Sequence, residues 1–443
     1  MRTQSEICDH NWFGRLPKEW KLRPMGSLFS FSKGITLTKA DLTEDGARVI
    51  NYGQIHSKAN TGTKITADLI RHISSDKIPF NVQPARKGSF IFACTSEDLQ
   101  GCGNCIYIDS KIEVYAGGDT ILLSPLNKCE ENKYLAYQFL TDAWRFQIRR
   151  ELVDVKVFHV NKENLKEAYV VLPPAEVQRS IVSFLDARCM PINEAITRHR
   201  QAIEKLEEYR RSVVAQSVIK GLSTAVPMKN SGISWIGNIP SQWQLTKIKY
   251  VASVMSGATP KKSIAEYWDG EIPFVTPADF STKDHYISKW GNFITKAGMY
   301  SCSTSLLPSG SVIVSTRAPI GPVVINTAPI CTNQGCKGLV PRDKDFNFEY
   351  LYLVLSVAEE ALNALGNGTT YLELSKNSLS NFIIPRPPLK EQNDIVSYVE
   401  KHCEPLDKAI SSHQLSIQKL KEFRRSLIHA AVTGRIDCTK ETL

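Results

Sequence analysis

Polar and basic side chains are concentrated in a few short loops of this sequence, between apolar segments that predict strands. Three of these loops span residues 31–39, 51–56 and 93–98 in the first half, and three span residues 256–262, 276–279 and 315–321 in the second. Hydroxyl, amide and basic groups of this kind can hydrogen-bond base edges and phosphates. For any single loop the alternative interpretation is an ordinary solvated turn. Taken together, the loops predict binding of nucleic acid rather than catalysis.

The candidate DNA-binding residues are the hydrogen-bonding and charged side chains of these loops. They are Lys33, Thr36, Lys39, Asn51, Gln54, His56, Thr95 and Ser96 in the first half, and Thr259, Lys261, Lys262, Thr276, Asp279, Thr316 and Arg317 in the second. Arg317 is the strongest single candidate, because a guanidinium group can form two parallel hydrogen bonds with guanine. The loops of the two halves correspond in position but differ in chemistry. Such a pair fits the recognition of two different short sequences.

Motifs for catalysis are missing from the sequence. It contains no phosphate-binding GxxxxGK[ST] loop, no HExxH and no Asp/Asn-Pro-Pro-aromatic tetrapeptide of the kind that DNA amino-methyltransferases use. Cys102 and Cys105 form its one CxxC, whereas Cys331 and Cys336 are five positions apart. A zinc site would need a second pair with similar spacing. We therefore expect a chain that is not an enzyme and that binds no metal or cofactor.

The elements that position the loops occur twice along the chain. Residues 173–212 reappear as residues 387–426, a shift of 387 − 173 = 214 without a gap, and 18 of the 40 aligned positions are identical. A tryptophan-glycine-proline-tryptophan pattern also repeats. Its members are Trp12, Gly14, Pro17 and Trp20, and then Trp235, Gly237, Pro240 and Trp243. A repeat of this length predicts an internal duplication of a mixed α/β region followed by a helical block. The predicted domains are 1–172, 173–234, 235–386 and 387–443.

Each repeated block has the apolar spacing of a coiled-coil helix, in steps of three and four. The predicted seam consists of Ile192, Ile196, His199, Ile203, Leu206, Arg210 and Val213, and of Leu406, Ile410, His413, Ile417, Leu420, Arg424 and Leu427. Pro191 and Pro405 either start these helices or kink longer ones, and Gly221 and Gly434 are predicted C-terminal caps. We predict two long antiparallel coiled-coil helices related by a pseudo-two-fold axis, with one α/β region at each end. Alternatively, the helices only tie the regions together or dimerise with another chain.

Composition places the chain among ordinary proteins of the cytoplasm. The 443 residues include 11 irregularly spaced cysteines, which favours a reducing compartment over a disulfide framework. No apolar run approaches the length of about 18 residues that a membrane span needs, and the N-terminal residues lack the apolar stretch of a secretion signal. The net charge of +9 is compatible with a polyanionic partner.

The order of these motifs resembles the specificity subunit of type I restriction-modification systems. The resemblance is carried by residues 233–243, 256–260, 272–276, 387–392 and 431–434 and covers essentially the whole chain. It implies two target recognition domains, each binding half of a bipartite DNA site, with the repeated helices setting the spacer between the halves.

The resemblance also implies partners. Two methylation subunits would use S-adenosylmethionine to methylate adenine N6, with Arg211 and Arg425 as candidate contacts to them. Restriction subunits, where present, would use ATP and Mg. A stand-alone DNA-binding regulator with two reading domains and a coiled-coil interaction scaffold are the alternative functions.

Overall fold

The computed structural model describes residues 13–14, 16–127, 132–149, 158–223, 225–280, 285–317, 319–366 and 372–440, so that Trp12 of the repeated pattern lies outside it. The chain forms two compact units. The first unit comprises Met1–His199 and Leu415–Leu443, and the second comprises Arg200–Gln414. Each unit therefore contains one α/β region and part of both repeated helical blocks.

The first half of the chain is a mixed α/β region followed by a long helix. Its strands are β1 (Lys21–Pro24), β2 (Phe29–Lys33), β3 (Leu42–Thr43), β4 (Ala47–Ile50), β5 (Arg71–Ile73), β6 (Phe90–Ala93), β7 (Thr95–Ser96), β8 (Cys105–Tyr107), β9 (Tyr115–Ala116), β10 (Thr120–Pro125), β11 (Phe158–His159) and β12 (Tyr169–Leu172). Its helices are α1 (Tyr52–Ile55), α2 (Asn132–Phe139), α3 (Asp142–Arg149), α4 (Lys162–Glu167) and α5 (Ala175–Lys220).

The second half repeats this plan. Its strands are β13 (Met228–Asn230), β14 (Asn238–Pro240), β15 (Gln244–Lys247), β16 (Ala252–Ser256), β17 (Trp268–Val275), β18 (Tyr286–Ile287), β19 (Asn292–Ile294), β20 (Val312–Ser315), β21 (Val323–Asn326), β22 (Cys331–Thr332), β23 (Cys336–Pro341) and β24 (Ile383–Arg386). Its helices are α6 (Ile248–Val251), α7 (Lys296–Tyr300), α8 (Phe348–Val357), α9 (Glu359–Ala364), α10 (Lys376–Ser380) and α11 (Leu389–Val432).

Short sheets hold each α/β region together. In the first, β2-β10-β6-β8 form one sheet and β3-β5-β4-β9 another. In the second, β16-β23-β20-β21-β18 and β19-β17-β22 play the same part. All four residues of β6 are buried, and Trp144 packs 4.4 Å from the ring of Phe139 in the core beneath that sheet. Apolar side chains on both faces of the central strands explain why these segments read as continuous apolar runs.

The prolines lie inside long helices rather than at their starts. α5 contains Pro191, and α11 contains Pro405. Of the two sequence interpretations, the longer helix is the one the structure adopts. Gly221 and Gly434 follow the helix ends with φ of +74° and +73°, the left-handed conformation that caps a helix. Residues 348–364 form two helices and not one, because Ala358, with ψ of 11°, interrupts the helical conformation.

The repeated tryptophans and glycines are explained by one packing arrangement that each unit contains. In the second unit, a Cβ atom added to Gly221 would lie 3.1 Å from the ring of Trp243. In the first unit, a Cβ atom added to Gly434 would lie 3.2 Å from the ring of Trp20. The indole N–H of Trp243 also donates to Glu391 Oε2 at 2.9 Å. The C-terminal end of each long helix thus packs against the tryptophan near the start of an α/β region.

Two equivalent polar contacts join α5 and α11, one in each unit. In the second unit, Arg210 Nε donates to Asp407 Oδ1 at 2.8 Å. In the first unit, Arg424 donates to Asn193 Oδ1. The same repeat shift relates both members of these pairs, because 424 − 210 and 407 − 193 both equal 214. Gly221 approaches Glu391 in the unit that also contains the Arg210 contact, so the helices run antiparallel there.

The structure places every residue of the predicted seam in a buried or half-buried position. Their role as a coiled-coil seam stays a prediction, as do the four domain boundaries, since each compact unit takes parts of both long helices. Three of the apolar segments that predict strands, at residues 272–275, 311–315 and 322–325, correspond to β17, β20 and β21. Among the described residues, no helix is both long and apolar enough to cross a membrane.

Candidate DNA interface

A glycine fixes the path of the first candidate loop in each α/β region. A Cβ atom on Gly34 would lie 2.0 Å from the carbonyl oxygen of Gly117, and one on Gly257 would lie 2.1 Å from that of Asn333. Only glycine permits so close an approach of two backbones. Residues 33–39 are therefore held against residues 116–120, and residues 256–262 against residues 332–336. This contact is the same in both regions.

The second candidate loop is a capped turn in each region. Asn51 N donates to Gln54 Oε1 at 3.2 Å at the start of α1. At the equivalent place, Thr276 donates to Asp279 Oδ2 through its backbone N at 2.7 Å and through its hydroxyl at 2.8 Å. These half-buried side chains therefore stabilise the turn. A substitution here would alter the loop conformation together with any DNA contact.

Five of the eight candidates of the first region line one cleft of about 1020 Å³. They are Lys33, Thr36, Lys39, Asn51 and Gln54. Lys162 and His159 add further donors to its wall, and Asp119 and Glu163 add carboxylates. The cleft combines ammonium, hydroxyl and amide groups, which is the mixture that binds phosphates and base edges.

The other three candidates of the first region are engaged within the protein. His56 Nε2 lies 2.8 Å from the carbonyl oxygen of Thr95. Ser96 is buried and donates to the carbonyl oxygen of Asp98 at 2.6 Å. The hydroxyl of Thr95 bonds the carboxylate of Asp119. We assign His56 and Ser96 to the support of this loop, while Thr95 lies half-buried beside the cleft residue Asp119.

Arg317 belongs to a charged cluster in the second region. Its Nε donates to Glu373 Oε2 at 3.1 Å, and its Nη2 lies 3.0 Å from the same oxygen. Lys337 Nζ lies 3.8 Å from Glu373 Oε1 and donates to Thr316 Oγ1 at 3.2 Å. Burial lowers the pKa of the Lys337 ammonium, and the nearby Glu373 carboxylate partly offsets this effect. The Glu373 carboxylate thus forms ion pairs with both the surface residue Arg317 and the buried residue Lys337.

The remaining candidates of the second region differ in accessibility. Thr316 is buried, so its hydroxyl supports Lys337 instead of facing solvent. Thr259 donates to Gln334 Oε1 at 2.6 Å, which ties the first candidate loop to residues 332–336. Lys261 and Lys262 are exposed at the surface. Residues 332–336 therefore contact both the first candidate loop, through Thr259, and Thr316, whose backbone N donates to the carbonyl oxygen of Gly335 at 2.8 Å. Burial removes Thr316 from the residues that can reach a base.

Sequence reasoning missed His159 and Glu373. β11 pairs with β7 so that His159 lies opposite Thr95, and an isolated bridge places Glu373 opposite Arg317. A signal for them exists, because 373 − 159 is again 214, the shift of the helical repeat. Extending that shift upstream of Pro173 would have aligned the two positions. Lys337 was also detectable, as a lone cation in an apolar strand.

The CxxC pair lies in the core of the first region. Cys102 and Cys105 are both buried, and burial raises the pKa of the Cys105 thiol to about 12. Within the ranges that the structure describes, no group of three or more His, Cys, Asp or Glu side chains could hold a metal ion. These thiols pack as small apolar side chains.

The two halves of the chain match one known family. The family described as "Type I restriction modification DNA specificity domain" matches residues 17–205 and again residues 240–421. The chain belongs to the type I restriction-modification DNA specificity family. Each match joins one α/β region to the helix that follows it, which agrees with the duplication read from the sequence. DNA sequence recognition is the role of this family of specificity domains.

Curated members of the specificity family resemble the chain in part or over nearly its whole length. It is 38% identical over 165 residues to the MjaIX specificity subunit of Methanocaldococcus jannaschii, covering 37% of this chain and only 38% of that relative. It is 21% identical over 429 residues to the putative MjaX specificity subunit of the same organism, covering 96% of this chain and 95% of the relative.

A solved structure from a type I restriction-modification system shares the specificity fold. The likeness has a TM-score of 0.61 at 20% identity and covers 95% of this chain and 100% of the other. That structure concerns complex assembly and conformational transition of such a system. At this identity the likeness supports the fold: a mixed α/β architecture with two long helices.

Proposed function

We propose that this chain is a non-catalytic subunit that selects a bipartite DNA site for a type I restriction-modification complex, each α/β region reading one half. One observation carries the proposal: the two regions share a backbone framework but carry different side chains at the equivalent surface positions. Thr95 and His159 in the first region correspond to Arg317 and Glu373 in the second. Equal frameworks with unequal donors and acceptors suit two half-sites of unequal sequence.

Electrostatics also fits such a partner. Lys33 and Lys39 line the cleft of the first region, and Lys261 and Lys262 are exposed at the equivalent loop of the second. Ammonium groups near phosphates hold the duplex in place and make binding depend on salt, while the amide and guanidinium groups read the bases. We propose that these four lysines position the DNA.

Two copies of a methylation subunit are the proposed protein partners. Tyr209 on α5 and Phe423 on α11 are related by 423 − 209 = 214 and are each 60% exposed. Large exposed aromatic side chains at duplicated positions offer the same anchor twice, as two identical partner copies require. Arg211 and Arg425 lie two residues further along each helix, exposed, and stay candidates for charged contacts.

Tyr209→Ala and Phe423→Ala are each expected to remove one of two partner copies. Loss of a buried aromatic anchor costs an interface roughly 2 kcal/mol or more, about a 30-fold loss of affinity. Native mass spectrometry of the purified complex would then show one copy for either single variant and none for the double variant. Tyr250→Ala, which removes a 61% exposed tyrosine of the short helix α6, is the matched control. Two bound copies in both single variants at unchanged affinity would refute the anchor.

Cofactors belong, in this proposal, to the partners. S-adenosylmethionine would be bound by the methylation subunits, and ATP and Mg by restriction subunits where these are present. This chain would hold the DNA while a target adenine is flipped from the stack, a step that costs a few kcal/mol. The whole assembly would act in the cytoplasm.

Mapping N6-methyladenine on DNA tests the proposal. The chain is co-expressed with a methylation subunit encoded beside it, and host DNA is sequenced with a long-read method that detects the modification. The expected result is one motif with two short fixed halves around a fixed gap. DNA binding without methylation would favour a stand-alone regulator, and no salt-dependent DNA binding would favour an interaction scaffold.

A further inference from the structure

Glu373 connects Arg317, the surface arginine of the second region, to the interior. Its Oε2 accepts from Arg317 Nε at 3.1 Å, and its Oε1 lies 3.8 Å from the ammonium nitrogen of Lys337. The Lys337 side chain is only 6% exposed, whereas that of Arg317 is 46% exposed. The Glu373 carboxylate thus lies between the buried ammonium group of Lys337 and the accessible guanidinium group of Arg317, and it contacts both.

The backbone supports the same arrangement. Arg317 and Glu373 face each other across an antiparallel bridge, and Leu374 N donates to the carbonyl oxygen of Thr316 at 2.9 Å. The two residues of the ion pair are therefore held together through their backbones as well as through their side chains. An exposed arginine on a loop samples many rotamers, and each immobilised side chain costs roughly 0.5–1.5 kcal/mol on binding. A fixed Arg317 avoids much of that cost.

The geometry of the guanidinium group leaves it able to read a base. Arginine has five N–H donors in a planar fork, and the contacts to Glu373 engage Nε and Nη2. The N–H groups of Nη1, together with the second hydrogen of Nη2, form the end of the fork that matches O6 and N7 of guanine. The Glu373 carboxylate, bound to the Nε and Nη2 edge of the guanidinium group, therefore orients the opposite edge of that group.

The fold does not need this ion pair. In the first region the equivalent positions are Thr95 and His159, whose backbones pair in the same antiparallel direction without an ion pair between the two side chains. The charged pair is therefore a feature of the second surface alone. Such pairs are otherwise of little value for stability, since exposed salt bridges contribute about 0–1 kcal/mol.

We propose that Glu373 is a positioning residue that orients Arg317 for recognition of one guanine in the half-site read by the second region. The proposal rests on the proposed function. Lys337 fixes the carboxylate, and the carboxylate fixes the guanidinium. Glu373 itself makes no base contact, because a carboxylate near the guanine acceptors would repel them.

The test compares Glu373→Gln, Glu373→Ala and Glu373→Asp with the wild type, each as the full chain in the methylating complex. Methylation rates are measured on oligonucleotides that carry every single-base change of the mapped motif. Glu373→Ala and Glu373→Gln are expected to lower discrimination roughly 2- to 10-fold at one base pair, the pair also affected by Arg317→Ala. Glu373→Asp should restore part of it. In an Arg317→Ala background, Glu373→Gln should change nothing further.

His159→Ala is the matched control, since it alters the equivalent position and should leave the second half-site untouched. An unchanged base profile in Glu373→Gln, a change at a different base pair from Arg317→Ala, or a uniform loss across all sites would each overturn the positioning role. Glu373→Gln keeps the side-chain size and guards against a folding defect in Glu373→Ala. Failure of the proposed function shows separately, because the wild type would then yield no bipartite motif.

Discussion

We expect Arg317→Ala to relax recognition at one base pair of one half-site and to leave the other half-site intact. A bidentate arginine–guanine contact contributes about 1–3 kcal/mol of discrimination. The methylation rate of sites that carry a different base at this position should therefore rise roughly 5- to 100-fold relative to that of the unchanged site. Because Arg317 is exposed and paired with a carboxylate that is itself 40% exposed, its removal should alter the stability of the fold little.

The measurement is the set of methylation rates on all single-base variants of the mapped motif. Arg342→Ala provides a matched control, because Arg342 is an exposed arginine of the same unit outside the candidate loops. That variant should retain the wild-type profile. Equal methylation profiles for Arg317→Ala and wild type would show that Arg317 reads no base.

Shortening both long helices together should shorten the gap between the half-sites without changing either half. Deleting residues 200–206 and 414–420 removes one heptad from each helix between the contacts that Arg210 and Arg424 make. Seven residues correspond to about 10.5 Å of helix, or at most about three base pairs. The seam keeps its register, since a whole heptad is removed.

A deletion in α5 alone is the informative comparison. It brings Asn193 and Arg210 closer by about 10 Å while Asp407 and Arg424 keep their separation. The two equivalent contacts can then no longer form together, and we expect an unstable complex with little methylation. Methylation mapping of the paired deletion decides the matter: altered half-site sequences, or an unaltered gap, would exclude the helices as the spacer.

Several features followed from the sequence alone because they depend on local pattern. The 214-residue repeat is visible when two segments of the sequence are compared, and the heptads and terminal glycines are visible within each segment. The structure contains the long helices and the left-handed Gly221 and Gly434. The choice between a helix start and a helix interior at Pro191 was not local, because burial of Cys189 and Ile192, on either side of the proline, supports a helix that continues through it.

Only the tertiary structure decided which candidates can reach DNA. Thr316 and Arg317 are neighbours in the sequence, yet strand pairing buries the first and exposes the second. Glu373 lies 56 residues from Arg317 along the chain, so no local pattern could reveal their ion pair. The repeat predicted two equivalent candidate surfaces. Long-range backbone pairing and the burial of Lys337 determined which side chains those surfaces present, because contacts between distant segments arise only when the chain is folded.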